Sequence, residues 1–145
     1  WNLCDAYRAP DAPKSAAGIM LTNAIGCVGT GNQDVGLLLD SARLNHSCKP
    51  NIFGSVERLQ GTTQCSWHAL TDIAKGEELC FSYTSLLDER QDRQAVLNIF
   101  YHFSCSCEVC QLQGAAKAES EERRRQLQNL QDSISALAFE DDIEE

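Results

Sequence analysis

The sequence predicts a mixed, β-rich α+β domain. Three observations carry this expectation: residues alternate with a period of two between Ile52 and Tyr83, the period becomes helical after Ser85, and three cysteines crowd into Cys105-Ser106-Cys107-Glu108-Val109-Cys110. A chain of 145 residues is long enough to bury roughly two thirds of its unfolded surface, so it needs no disulfide framework to hold a core.

The first forty residues are weakly patterned. Pro10 and Pro13 interrupt the opening, and Gly26, Gly29, Gly31 and Gly36 punctuate the stretch after it. The apolar stretch Gly18 to Ile25 reads as a strand, and Gly29-Thr30-Gly31 reads as a connection, because a phosphate loop needs a preceding strand, a following helix and a Lys-Ser/Thr pair. Ile52–Leu59 and Thr63–Leu70 flank the turn-like link Gln60-Gly61-Thr62 and predict a hairpin, with Cys65, Trp67 and Ala69 alternating against polar neighbours. Ala74-Lys75-Gly76 supplies another turn, after which Leu79, Phe81 and Tyr83 share one face. Asp88 to Tyr101 reads as a helix: acidic residues sit in its first turn, and Val96, Leu97, Phe100 and Tyr101 form an apolar stripe. A second helix is expected from Ala118 to Phe139, where Leu127, Leu130, Ile134 and Leu137 recur at threes and fours. The end is acidic, residues 117–145 holding nine carboxylates against four basic side chains.

Composition excludes several classes. Twelve Lys and Arg against 21 Asp and Glu give a net charge of −9, which argues against a protein that tracks nucleic-acid phosphates. The longest strongly apolar run, Val35 to Leu39, is far below the roughly 20 residues of a membrane span, and no basic-then-apolar leader is present. The expectation is a soluble, unsecreted chain of the nucleus or cytoplasm. Because it opens on Trp1, it also reads as a fragment, a processed product or an incomplete gene product.

Of eight cysteines, Cys4, Cys27, Cys65 and Cys80 are scattered singly, whereas Cys105, Cys107 and Cys110 have the short spacing that lets thiolates converge on one tetrahedral zinc ion. Three ligands need a fourth. The competing reading places the cluster in an oxidised extracellular scaffold.

Four signals stand in a fixed order: Asn45-His46-Ser47-Cys48-Lys49-Pro50-Asn51, Gly76-Glu77-Glu78-Leu79, Ser82-Tyr83, and Tyr101-His102-Phe103-Ser104 followed by the cysteine cluster. Together they resemble the C-terminal half of a SET-domain protein lysine methyltransferase, most like the SET and post-SET portion of the SET-and-MYND branch and its fungal relatives, over about residues 18 to 112. The resemblance implies a SET fold with knot-like threading. It divides the chain into an irregular leader (1–17), the C-terminal part of a SET domain (18–85), a helix with a post-SET zinc segment (86–112), and a C-terminal helix with an acidic tail (113–145).

The resemblance also implies roles. Asn45 and His46 become contacts to S-adenosylmethionine, Asn23 is a looser match to a further cofactor contact, and Phe103 is the aromatic that packs on the adenine. Cys48 joins Cys105, Cys107 and Cys110 as the fourth ligand of one structural zinc ion. Tyr83 and Tyr101 become the tyrosines of the lysine channel, with Tyr83 the residue that orients the amine. A pairing of Cys48 with His46 as nucleophile and base lacks a third group to orient it. Glu77 and Glu78 read as turn and surface charges. The competing reading for each aromatic is core packing.

Departures from the pattern shape the functional expectation. The family's glycine-rich G-x-G segment has no counterpart in residues 1–17, so the N-terminal SET strands read as missing; no MYND cluster is present, and Ile25 stands where relatives often carry an aromatic. The implied function is an S-adenosylmethionine-dependent protein lysine methyltransferase in truncated form, acting on a protein lysine such as one in a histone tail, with no direct nucleic-acid or membrane partner. The alternative is a catalytically inactive, zinc-stapled SET-like module for protein interaction.

Overall fold

The computed structural model describes residues 15–26, 35–59 and 62–141. The Gly29-Thr30-Gly31 connection, Cys4, Cys27 and the irregular leader before Ser15 lie outside these residues.

The first element corrects the sequence expectation. Gly18 to Ile25 is not a strand: helix α1 runs over Ala16–Asn23, and only Ile25–Gly26 (β1) is extended, pairing antiparallel with β2 (Val35–Gly36). The helix wins because Ser15 caps it, its side chain accepting from the Gly18 N–H at 3.0 Å. Thr22 and Asn23 then donate back to the carbonyls of Gly18 and Ile19, at 2.8 and 2.9 Å, which satisfies their polar groups inside the helix. An unbroken apolar run cannot distinguish a buried strand from a short helix by periodicity.

The predicted hairpin is present. Strands β4 (Ile52–Leu59) and β5 (Thr62–Ala69) pair antiparallel, with Gly54 opposite Trp67. Ile52 and Val56 are buried on the inner face while Phe53, between them on the other face, is 60 % exposed. Gly54 is required there: a Cβ would stand 2.6 Å from Trp67 Cζ3. The indole occupies that space, donating Nε1–H to Ser41 Oγ at 3.0 Å and packing edge-on against Phe81 at 4.9 Å. Gly54→Ala should therefore cost about 1–3 kcal/mol of stability through displacement of Trp67, measurable by urea denaturation; a variant as stable as wild type would contradict this packing.

Ala74 to Glu77 forms a type II turn, its Glu77 N–H bonding the Ala74 carbonyl at 3.0 Å and Gly76 adopting φ +89°. The row Leu79, Phe81, Tyr83 is only partly a strand: β6 is confined to Cys80–Phe81, and Leu79 is 41 % exposed. Its partner is distant in sequence. β6 pairs parallel with β3 (Asn45–His46), so Asn45 faces Cys80 and His46 faces Phe81 across the ladder. Asn51 ties this pair to the hairpin: its backbone N–H donates to the Cys80 carbonyl, its Oδ1 accepts the Cys80 N–H at 2.9 Å, and its carbonyl accepts from Leu70.

Helix α2 (Arg90–Val96) continues into a π-helical turn, Leu97–Tyr101, which ends at His102 in the left-handed conformation. The wider turn alters the predicted stripe. Leu97 is completely buried, but Phe100 is 43 % exposed. A short helix α3 (Glu108–Gln111) carries the last cysteine of the cluster, and α4 extends over Gly114–Asp141, longer than predicted at both ends. Its first turns dock on α2. The Glu121 carboxylate accepts the Arg90 N–H at 2.8 Å, supplying an N-terminal cap that Glu89 does not provide. Farther along, Leu127, Leu130, Ile134 and Leu137 are each more than half exposed. No helix among the described residues is long and apolar enough to cross a membrane.

Candidate functional site

The C-terminal end of α1, the turn Ser41–Ala42, and the segments Phe81–Tyr83 and Tyr101 line a half-open cavity of about 190 Å³. Its wall brings together Asn23, Tyr83 and Tyr101, which are far apart in sequence. Pockets for drug-sized ligands are roughly 300 Å³ or larger. The volume suits a single extended side chain.

Tyr83 is held at both ends. Its backbone N–H donates to His46 Nδ1 at 2.9 Å, and its hydroxyl donates to the Leu44 carbonyl at 2.5 Å. Rings fix it laterally, with centroids of Tyr101, Phe81 and His46 at 4.8, 4.9 and 5.2 Å. This local order arises from the parallel β3–β6 ladder, which lays the segment after His46 beside the segment after Phe81. Because the hydroxyl proton is committed to Leu44, the oxygen can act toward a ligand amine only as an acceptor.

His46 is neutral in this arrangement. Nδ1 accepts from Tyr83, so the ring proton resides on Nε2, which lies 3.2 Å from Cys48 Sγ. Burial, aided by the nearby Arg93 charge, lowers its pKa to about 4. We expect ¹⁵N NMR to show the Nε2–H tautomer with no protonation of His46 between pH 8 and 5.5. A titration midpoint near 6.5 would contradict the Tyr83 bond, since protonating Nδ1 breaks it.

The remaining predicted cofactor contacts are arranged differently. Phe103 forms the open rim of the aromatic cluster, with centroids 6.0 Å from His46 and 6.5 Å from Tyr101, and is 36 % exposed. Asn45 is exposed, and its amide donates to Glu78 Oε1 on the other side of the ladder from His46. Asn23 donates to the helix backbone while lining the cavity. Glu77 behaves as a turn charge: bonds from the Ala74 N–H and the Asn51 amide hold its carboxyl below the usual range.

The four sulfurs of Cys48, Cys105, Cys107 and Cys110 all lie within 4.8 Å of one another. Four thiolates at about 2.3 Å from a tetrahedral zinc stand roughly 3.8 Å apart, so the donor set and its spacing fit a closed structural site. Cys48 comes from the loop after β3, Cys105 and Cys107 from the segment after the π turn, and Cys110 from α3. Burial pushes the Cys48 thiol up to about 12, against the pull of Arg93. Burial also opposes ionisation at Cys107, yet the Cys110 backbone N–H and neighbouring donors bring that thiol down to about 7.

Two residues that sequence reasoning missed hold this cluster. Gln94 clamps Cys105, donating to its carbonyl at 2.7 Å and accepting its N–H at 3.0 Å. Arg93, 0 % exposed, donates from Nε to Cys48 Sγ at 3.3 Å. A signal existed for Arg93: it lies four residues before Leu97, so the apolar stripe continued by one turn falls on it.

Comparison with known proteins agrees with this architecture. Residues 12–84 match the SET domain model. The chain is 34 % identical over 107 residues to N-lysine methyltransferase SMYD2-B of Danio rerio, covering 69 % of the chain and 24 % of that protein. It is 35 % identical over 94 residues to histone-lysine N-methyltransferase set5 of Schizosaccharomyces pombe, covering 63 % of the chain and 28 % of that protein. With N-lysine methyltransferase SMYD2 of Gallus gallus, identity is 31 % over 138 residues, covering 90 % of the chain and 30 % of the relative. The chain belongs to the SET-domain family. Both the SET-and-MYND branch and the fungal proteins are among its relatives, and it spans between about a quarter and a third of their length.

Proposed function

We propose that the chain carries the lysine-channel and zinc-segment portion of a protein lysine methyltransferase that uses S-adenosylmethionine. The observation that carries this reading is the side-chain-sized cavity walled by Tyr83 and Tyr101, in which the Tyr83 oxygen is fixed as an acceptor. S-adenosylmethionine supplies an electrophilic methyl group on a sulfonium. The protein's part is to present a neutral amine in line with it.

A free lysine has a pKa of about 10.4, and aromatic walls lower it by disfavouring the ammonium. Tyr83 then accepts one amine N–H, which turns the nitrogen lone pair toward the methyl donor, while Tyr101 closes the other side of the channel. Asn23, Asn45, His46 and Phe103 are proposed to hold the cofactor. His46 and the half-open Phe103 face offer aromatic surface to a planar base, and the Asn amides suit the amino-acid end. Zinc on Cys48, Cys105, Cys107 and Cys110 would pin Tyr101 and Phe103 over the channel, and the parallel β3–β6 ladder is compatible with the family's knot-like threading. A lysine in a basic protein segment suits the acidic surface of this chain.

Calorimetry with S-adenosylmethionine, followed by methyl transfer to lysine peptides, tests the reading. Binding with transfer to the lysine amine is expected. No binding and no transfer would leave the chain as a zinc-stapled interaction module.

A further inference from the structure

We infer that Arg93 is the buried charge partner of the cysteine cluster, a positioning residue that sets metal affinity by donating an N–H···S bond to Cys48 and placing its positive charge beside the cluster. This inference rests on the four cysteines acting as a metal centre. Zinc with four thiolates carries a net charge of −2, and such a charge inside a protein is tolerated only where donors and opposite charge surround the sulfurs.

Arg93 meets that requirement and has no other evident reason to be inside. Its side chain is completely buried, its Nε donates to Cys48 Sγ at 3.3 Å, and Cys110 Sγ lies 3.5 Å from that same sulfur. Nη1 donates to the Asp88 carbonyl, which fixes the plane of the guanidinium, while Nη2 is buried without an acceptor. Among the described residues, every ion pair of an arginine with a carboxylate involves Arg123 or Arg125, none Arg93. A buried guanidinium lacking a carboxylate is strongly unfavourable unless another anion faces it, and the sulfurs of Cys48 and Cys110 are the groups that do. Arg93 and Gln94, adjacent on α2, thus hold Cys48 and Cys105, the two ligands that come from outside the Cys107–Cys110 turn.

The test measures zinc affinity by chelator competition in the whole chain, comparing wild type with Arg93→Lys and Arg93→Gln, and records the sulfur-to-cobalt charge-transfer band of the cobalt-loaded proteins. Loss of an outer-shell partner commonly costs 10–100-fold in metal affinity. We expect about that loss in R93Q, a smaller one in R93K, and a charge-transfer band moved to lower energy in R93Q as the thiolates lose their positive neighbour. R93Q with wild-type zinc affinity and an unmoved band would overturn the role of Arg93 alone. Should R93Q fail to fold, R93K decides: weakened zinc binding in a folded protein supports the role, and unchanged binding with an unchanged band refutes it. Wild-type protein that takes up no zinc would overturn the metal centre and this inference together.

Discussion

Cys107→Ser is expected to abolish zinc binding and to unfold the C-terminal part of the SET domain together with the segment after it. The effect is large because Cys48 lies far in sequence from the other three ligands, so metal binding closes the long loop between Cys48 and Cys105. The loop after β3 contributes Cys48, the segment after the π turn contributes Cys105 and Cys107, and α3 contributes Cys110. Folding and metal binding are then one equilibrium, worth on the order of 10 kcal/mol in small zinc domains. Cys107 is the most sensitive choice, since it stands at the N-cap of α3 between Cys105 and Cys110, where a serine keeps the chain but offers no metal–sulfur bond. Zinc content by mass spectrometry under native conditions should fall from one ion to none, and circular dichroism should show loss of structure. Cys65→Ser is the control. Its sulfur lies against Ser41 and away from the cluster, so zinc stoichiometry should stay at one. A Cys107→Ser protein that keeps its metal and its fold would refute the four-cysteine centre.

Tyr83→Phe should reduce methyl transfer by about 100-fold or more while leaving the fold intact, the size of loss seen when one fixed polar group at a reacting centre is removed. The substitution deletes only the oxygen. Phenylalanine keeps the ring contacts to Phe81, His46 and Tyr101, and the backbone N–H to His46 Nδ1 is untouched. The variant loses the acceptor for the amine and the bond to the Leu44 carbonyl, a stability change of about 1 kcal/mol. Affinity for S-adenosylmethionine should be unchanged, because in the proposed arrangement Tyr83 contacts the lysine while His46 and Phe103 face the cofactor. Equal transfer by Tyr83→Phe and wild type would remove Tyr83 from the mechanism.

Legibility in the sequence tracked the physics of each element. The hairpin could be read because β4 and β5 each run eight residues, long enough for alternation to declare which face is inside. Helix α1 reads as a strand because eight largely apolar residues carry no usable period, and the Ser15 cap decides them. The stripe on α2 was correct through Leu97 and failed at Phe100, where the backbone widens to a π turn that side-chain spacing does not reveal. The convergence of the four cysteines was legible because chemistry restricts what short thiol spacings can do, and the ordered motif pointed to Cys48. Arg93, Gln94 and Asn51 were not. Each acts through a partner at least eleven residues away; the stripe extended back from Leu97 marks the place of Arg93, but a charged side chain there does not declare that it turns inward.

The most direct test of lysine methylation by this chain is transfer of a labelled methyl group from S-adenosylmethionine to lysine-containing peptides by the zinc-loaded protein, with the modified atom located by mass spectrometry. Label is expected on a lysine side-chain nitrogen, lost in Tyr83→Phe with cofactor binding retained. A folded, zinc-loaded chain that binds no S-adenosylmethionine and labels no lysine would contradict the proposed function.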